Sequence, residues 1–376
     1  MVFDGGAVAV ATDPEPESTT RPAVFPSTGE FPVYDEYVYQ TMTTDTIRND
    51  GFTAALKGVV AGRRVLDIGT GAHLNWAKEA LELGAASAVG VEAMQDSFAS
   101  AELVRQESGL GGRLELMCGL STDISLAERA DVCVAEVIGS LAGAEGAAAV
   151  ITDAKRRLLS ANCVIVPHRA ATRVAAACLR DLLADHPVAF SAPALPYLEK
   201  VFSWNSGPFD VRLRISRPRW ATLLSDSAEA EVLEFNGDLR TEQKRSIDLT
   251  IDREGEVDGL LAWIRLWCGP DSDPIDTLRD DTNWASIYFP LFDEAVRCQP
   301  GDSLRIAIRV RLAADRIHPV YYVDGSLTRG GSTLAEGHHL SNFGGSHFRK
   351  QALHRKLFPL SGPAEPLTVT GPRLAC

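Results

Sequence analysis

Hydrophobic and polar positions follow two different regimes along the chain. From residue 63, short apolar runs alternate with stretches of helical spacing. RRVLDIG is an apolar strand that runs into a glycine turn, and LNWAKEALELG follows with helical period and Gly84 as its C-cap. SAVGVEA, RLELMCG, ADVCVAEV and NCVIVPH repeat the strand pattern, with QDSFASAELVRQESG and AEGAAAVITDAKRRLLS as helices between them. Strands alternating with helices predict a parallel sheet covered on both faces, hence a doubly wound α/β domain over residues 61–168. Beyond it the helical period fades. TRVAAACL, DVRLRIS, RSIDLTI, GLLAWIRLWC, ASIYFPLF, SLRIAIRV and PVYYVDGSL read as strands separated by turn residues. They predict an antiparallel β-barrel domain over residues 169–329, interrupted near 179–200 by a segment that projects as an arm. Residues 1–30 are aperiodic and rich in Pro, Thr, Ser, Glu and Ala, which predicts a disordered tail; 31–60 read as a helical cap of one or two short helices, and 330–376 as a C-terminal extension.

Composition narrows the function classes. The 376 residues are 45% hydrophobic and 23% charged, which is ample for two cores. The net charge of −13 disfavours nucleic acid and anionic membrane and favours a cationic small-molecule or peptide partner. No apolar run approaches the ~18 residues of a membrane span, and the acidic start is no secretory signal. Seven cysteines without a C-x-x-C pair indicate reduced thiols in a cytoplasmic protein. His338, His339, His347 and His354 lack regular ligand spacing, so no metal site is expected.

The sharpest local signal is Asp67-Ile68-Gly69-Thr70-Gly71 at the end of the first strand, with Glu92 closing the second. In an open α/β sheet ligands bind at the carboxyl ends of strands. Glycines admit a ligand close to the backbone, and the acid is placed to accept both hydroxyls of a ribose. A dinucleotide fingerprint would carry a third glycine where Leu74 stands, so a nucleoside without pyrophosphate fits better. The loop after the third strand, with Leu120, Ser121, Thr122 and Asp123, is positioned for an adenine edge. After the fourth strand come Glu136 and, nine residues on, Glu145. Two carboxylates flanking one small-residue loop suit a planar cation such as guanidinium, held by charge-assisted bidentate hydrogen bonds.

D-x-G-x-G with a second-strand acid resembles the S-adenosylmethionine site of class I methyltransferases. Together with Tyr34-Asp35-Glu36-Tyr37, the Glu136/Glu145 pair, PHRA at 167–170 and Thr282-Asn283-Trp284, it resembles the protein arginine methyltransferase family from about Tyr34 to Leu327, as a divergent, bacterial-type member. The resemblance implies an α/β + β fold: a Rossmann-like methyltransferase domain, then an antiparallel β-barrel-like domain whose arm makes a homodimer. It implies S-adenosyl-L-methionine as cofactor, held by Asp67, Gly69, Gly71, Glu92, Ala93, Ser121, Thr122, Glu136 and Arg48. It also implies Glu136 and Glu145 as the catalytic pair and Tyr34, Tyr37, Tyr39, Asn283 and Trp284 around the acceptor.

The chain departs from the family in four places. Asn283 replaces a histidine whose partner aspartate best matches Asn49. Phe52 stands in the register of the cofactor-carboxylate arginine, with Arg48 one turn earlier. Val137, Ile138, Ser140, Ala142, Gly143 and Ala144 leave a wider acceptor loop, and residues 330–376 run past the barrel. Three activities stay open: methyl transfer to a guanidino nitrogen of arginine, an arginine derivative or a peptide; a specialised-metabolite methyltransferase acting on an indole, amine or phenol; and an inactive cofactor-binding scaffold.

Overall fold

A computed structural model of the protein describes residues 2–3, 6–14, 21–33, 35–204, 210–343 and 351–359. Four short strands come first: β1 (Val2–Phe3), β2 (Gly6–Ala7), β3 (Thr12–Asp13) and β4 (Ala23–Pro26). Two helices follow, α1 (Glu36–Thr43) and α2 (Thr46–Lys57), started by Asp35 and Asp45, whose side chains accept the backbone N–H groups of Val38 and Arg48.

The α/β domain then runs β5 (Arg64–Ile68), α3 (Asn75–Glu82), β6 (Ser87–Glu92), α4 (Gln95–Glu107), β7 (Leu114–Cys118), β8 (Ala130–Ala135), α5 (Ala147–Arg157) and β9 (Leu159–Val166). Its five strands are all parallel in the order β7-β6-β5-β8-β9. The order reverses between β5 and β8, so the crevice for a ligand opens at the carboxyl ends of those two strands.

The second domain carries β10 (Arg169–Ala177), α6 (Leu179–Leu182), β11 (Phe190–Ser191), α7 (Leu195–Trp204), β12 (Leu213–Ser216), β13 (Ala228–Glu234), β14 (Gln243–Thr250), β15 (Gly255–Val257), β16 (Gly259–Trp267), β17 (Ile275–Asp276), β18 (Ser286–Pro290), β19 (Val296–Cys298), β20 (Ser303–Leu312), β21 (Pro319–Arg329) and β22 (Ser332–Ser341). A nine-stranded sheet centred on β10, β16 and β18 faces a four-stranded sheet, β14-β20-β21-β22. Leu260, Ile287 and Phe289 from the first and Leu249, Ile306 and Val323 from the second form the core between them. Along β20, buried Leu304, Ile306, Ile308 and Val310 alternate with Arg305, Arg309 and their neighbours, the period-2 pattern of a strand with one face in water. By contrast residues 259–264 of β16 are buried on both faces, which explains their unbroken apolar run.

What covers the outer face of β16 corrects three expectations. Residues 179–200 do not project. Leu182, Leu183, Phe190, Leu198 and Phe202 are buried inside the same chain against Val24, Phe31, Val33, Leu357 and Phe358. Residues 1–30 were expected to be a disordered tail; β3 and β4 instead join the nine-stranded sheet, β4 pairing with β12 and β11 with both. The barrel also does not end at 329, because β22 pairs with β21 from Tyr321↔Ser341 to Arg329↔Ser332, and α8 (Ala352–Leu357) packs on the arm.

One buried guanidinium ties these segments together. Arg212 Nη1 donates to Glu30 Oε1 (2.8 Å), Nε to Ser341 Oγ (2.8 Å) and Nη2 to the Pro319 carbonyl (2.6 Å), with its charge over the Tyr321 ring. Its neighbour backbone also fixes the loop ahead of Glu30, since Ser27 N donates to the Arg212 carbonyl (2.8 Å). The arm, N-terminal strands and β22 were invisible to periodicity because they are too short, or too dependent on distant partners, to carry a period.

Both side chains of the Arg212–Glu30 pair are 2% exposed. Glu30→Gln keeps the shape but leaves the guanidinium without its counter-charge. It should lower unfolding stability by about 3 kcal/mol. Asp238→Asn, which breaks a pair exposed at 72% and 77%, should leave the urea midpoint unchanged. A midpoint for Glu30→Gln equal to the parent's would show that the N-terminal segment is not part of the fold.

Candidate functional site

β5 delivers the chain into the crevice through Gly69 and Gly71, at φ +75° and +67°, conformations that suit glycine. Leu74, where a dinucleotide fingerprint has glycine, is also left-handed at φ +57°, and its fully buried side chain holds it there. Asp67 sits beneath the turn. Its Oδ2 accepts Thr70 Oγ1 (2.6 Å) and the Ala77 N–H at the start of α3 (3.0 Å). It is completely buried and is not among the residues that line the crevice, where Thr70 stands instead. Burial pushes its carboxyl up to about 7, against the pull of those two hydrogen bonds.

At the end of β6, Glu92 Oε2 accepts the Gly71 N–H (2.9 Å) and Oε1 the Met94 N–H (2.8 Å). Each carboxylate oxygen has a second lone pair. Burial raises the Glu92 carboxyl above its ordinary range, opposed by these backbone donors.

Glu136 follows β8. It receives a hydrogen bond from Arg48 Nη2 of α2. Arg48 also donates to the Met42 carbonyl (3.2 Å) and Asn49 Oδ1 (2.8 Å), and its charge lies over Trp76 (5.1 Å) and Phe52 (6.0 Å), which stack on each other. Phe52, in the register where the family has its arginine, is part of the aromatic floor on which Arg48 rests. Burial raises the Glu136 carboxyl, and Arg48 opposes the rise.

Two pockets meet here. The first is lined by Tyr39, Arg48, Gly69, Gly71, His73, Trp76 and Glu92; the second by Ser27, Thr28, Gly29, Ser140, Arg214, Asn283 and Trp284. Glu136 and Glu145 line both, and so does Met42. Tyr39, expected beside the acceptor, lines the first pocket instead, with its hydroxyl 2.7 Å from Ser97 Oγ and its ring edge-on to His73. Trp284 forms a wall of the second and donates Nε1–H to the Ile138 carbonyl (2.7 Å).

Four sequence expectations need relocating. The acid that meets the Thr282-Asn283-Trp284 loop is Asp45 and not Asn49: Asp45 Oδ2 accepts the Asn283 N–H (2.8 Å), while Asn49 donates to the Thr43 carbonyl (2.8 Å). Ser121 and Thr122, with Ala93, are not among the lining residues; Arg157 of α5 pins their loop through the carbonyls of Ser121 (2.8 Å) and Ile124 (2.7 Å). Tyr34 and the side chain of Tyr37 lie outside the described residues. Of the histidines, His339 is buried and bonds Gln351 Oε1 through Nδ1 (2.8 Å), while His354 packs on Phe358; His347 is outside the described residues. Among the described residues no group of three or more His, Cys, Asp or Glu is placed to hold a metal, and no helix is long and apolar enough to cross a membrane.

The periodic reading missed the N-terminal wall and the support of the acceptor loop. Gly29 packs so closely on Glu145 that a Cβ there would fall 2.0 Å from Oε1. Beneath the loop, the buried Glu231 of β13 accepts from Thr172 Oγ1 (2.9 Å), the Gly143 N–H (3.2 Å) and the Tyr321 hydroxyl (3.2 Å), and Thr172 Oγ1 accepts the Ala142 N–H (2.9 Å). Only the small side chains in LAGAEG hinted at so close an approach.

No protein-family model matches the chain. Over 140 residues, 34% of its length, it is 34% identical to protein arginine N-methyltransferase 7 of Drosophila grimshawi and 33% identical to that of Drosophila melanogaster. The match spans 20% of those proteins, so the chain covers about a fifth of the curated relatives it resembles. Among solved structures, Arabidopsis thaliana protein arginine methyltransferase 10 superposes with TM-score 0.66 at 16% identity, covering 83% of this chain and 98% of that one. The Trypanosoma brucei PRMT1 enzyme–prozyme heterotetrameric complex with AdoHcy gives 0.63 at 14%, covering 81% and 96%. The fold is therefore that of the arginine methyltransferase structures, a Rossmann-like domain followed by a β-barrel-like one.

The Asp67 geometry makes a stability prediction. Its carboxyl protonates near pH 7 when folded and near 4 when unfolded, so the folded state holds the extra proton. The stability this lends is complete below pH ~4 and is lost as pH rises to ~7. Asp67→Asn cannot ionise, so its stability relative to the parent should grow by up to about 4 kcal/mol across that window. Parallel stability–pH curves for the two proteins, measured by chemical denaturation, would contradict this account.

Proposed function

We propose that the protein is an S-adenosylmethionine-dependent methyltransferase acting on a guanidino nitrogen. The observation that carries this reading is the pair Glu136 and Glu145 at the junction of two pockets, one of them built on a glycine turn and a second-strand acid. The residues present fit the cofactor. Glycine backbone at 69 and 71 admits a ligand closely, Glu92 has lone pairs for two ribose hydroxyls, and Arg48 is a cation within the same pocket for a carboxylate. The first pocket holds three carboxylates (Glu92, Glu136 and Glu145) against the single guanidinium of Arg48, a surplus of two negative charges among its described acids and arginines. Two cations side by side, a sulfonium and a guanidinium, balance that surplus. A bound cation opposes the upward push that burial gives the Glu92 and Glu136 carboxyls.

When bound, S-adenosylmethionine supplies an electrophilic methyl group on sulfur. The protein's own work is to orient the acceptor. Glu136 and Glu145 grip the guanidinium plane through its N–H groups, which leaves one nitrogen facing the first pocket. They also receive the proton which that nitrogen gives up as its new N–C bond forms. Trp284, fixed through Ile138, walls the acceptor from water. A homodimer belongs to the same proposal. What supports it is the assembly of the Trypanosoma brucei protein; the apolar groups of 179–200 give it no support, since they are buried in their own chain.

Three variants test the reading. Glu92→Ala removes acceptors for the ribose and should weaken S-adenosylmethionine binding at least tenfold by calorimetry, taking ~1.5–3 kcal/mol per bond to a charged group. Glu136→Gln and Glu145→Gln should each reduce guanidino methylation at least ~100-fold, since each leaves the cation short of one charge. One inactive and one fully active Gln variant would favour a neutral ring nucleophile served by a single base.

A further inference from the structure

Resting on the guanidino reading, we propose that Gly29 is a positioning residue for methyl transfer: its missing side chain leaves the slot that holds the Glu145 carboxylate at the acceptor. A glutamate side chain has three torsions, and a carboxylate that could swing would have to be ordered each time an acceptor is gripped. Main chain packed against it removes that freedom before the acceptor arrives. A Cβ built on Gly29 would overlap Glu145 Oε1 and stand 2.9 Å from its Cδ, nearer than a real methyl group can come. Gly139, in the acceptor loop itself, also lies close. Its Cβ would stand 3.3 Å from the same Oε1 and 3.2 Å from Cγ. One carboxylate is thus pressed by two glycines, one from its own loop and one from the N-terminal segment.

The Gly29 wall is held in place. Ser27 N donates to the Arg212 carbonyl (2.8 Å) and Ser27 Oγ to Glu30 Oε2 (2.9 Å), and Phe31 N donates to the Thr28 carbonyl (3.0 Å), closing a turn around Gly29 and Glu30. Glu30 is paired in turn with the buried Arg212. The turn does not ask for glycine on its own account, because Gly29 is not among the residues with left-handed φ. The close approach of Glu145 is what asks for it. The atoms nearest an added methyl are Oε1, Cδ and Cγ of Glu145, the far end of a long side chain that can turn aside without disturbing the core. Substitution at 29 therefore acts on the carboxylate and spares the fold. Ser27, Thr28 and Gly29 line the second pocket together with Glu145, so the wall and the carboxylate meet the same acceptor.

The experiment follows methylation of L-arginine and of an arginine-containing peptide by mass spectrometry. It compares the parent, Gly29→Ala, Glu145→Asp and the double variant, with Gly112→Ala, where an added Cβ meets nothing within 4 Å, as the control. Gly29→Ala should keep the parent's urea midpoint and its affinity for S-adenosylhomocysteine by calorimetry, yet lower kcat/KM by about 10–100-fold, the range for a reacting group misplaced by about 1 Å. Glu145→Asp, whose carboxylate stops one methylene short, should lower it as well. Adding Gly29→Ala to Glu145→Asp should then cost about twofold or less, because the shorter side chain no longer reaches the wall. A merely structural role for Gly29 would lower the urea midpoint and multiply the two losses. Parental kcat/KM in Gly29→Ala, or losses that multiply in the double variant, would overturn this inference while leaving guanidino methylation standing. A parent that methylates neither acceptor would instead sink the functional reading, and this role with it.

Discussion

A guanidinium sealed from water must find its counter-charge and its acceptors inside the protein, and Arg212 does so only by gathering distant parts of the chain. Glu30 comes from the N-terminal segment, Pro319 from the strand before the last and Ser341 from the last. Once those partners are recruited, the N-terminal segment cannot be a tail. It enters the sheet through β4, covers the arm, and brings Ser27–Gly29 against Glu145. Much of the second pocket's shape is thus the indirect result of satisfying one buried charge.

Arg48 plays the matching part at the first pocket. It couples the helical cap to the end of β8 by pairing with Glu136, and the Phe52–Trp76 stack gives its planar group a surface to lie on. Buried ion pairs add little net stability over apolar packing of the same volume. Their retention at both sides of one site fits a role in fixing positions, with the stability coming from the apolar clusters around them.

How much of this was legible in the sequence depended on range. Asp67, Gly69, Gly71 and Glu92 were readable because strand, turn and acid follow one another locally, and Glu136 and Glu145 because a single loop carries them. Yet locality misled at Asp67, which a motif marks as a ligand contact and packing turns inward. It failed at Asp45 as well, whose partner Asn283 lies 238 positions away, so that no spacing rule could choose between it and Asn49. The four residues of β4 are too few to show a period, and the apolar groups of the arm looked unpartnered only because their partners sit at the two ends of the chain. Hydrophobic pattern tells a segment that it must be covered; it does not say by what.

The support under the acceptor loop has one more consequence. Glu136 ends a strand of the α/β sheet, but the loop that carries Glu145 is bonded from below to barrel residues, through Glu231 to Gly143 and Thr172 to Ala142, and Gly146 lies against Ile317. The two carboxylates are therefore jaws of a caliper, one arm fixed to the α/β sheet and the other braced on the barrel. Their gap is set by how the domains seat on each other. Substitutions far from the pocket, along that seam, can retune the gap between the two carboxylates while every residue lining the pocket stays the same.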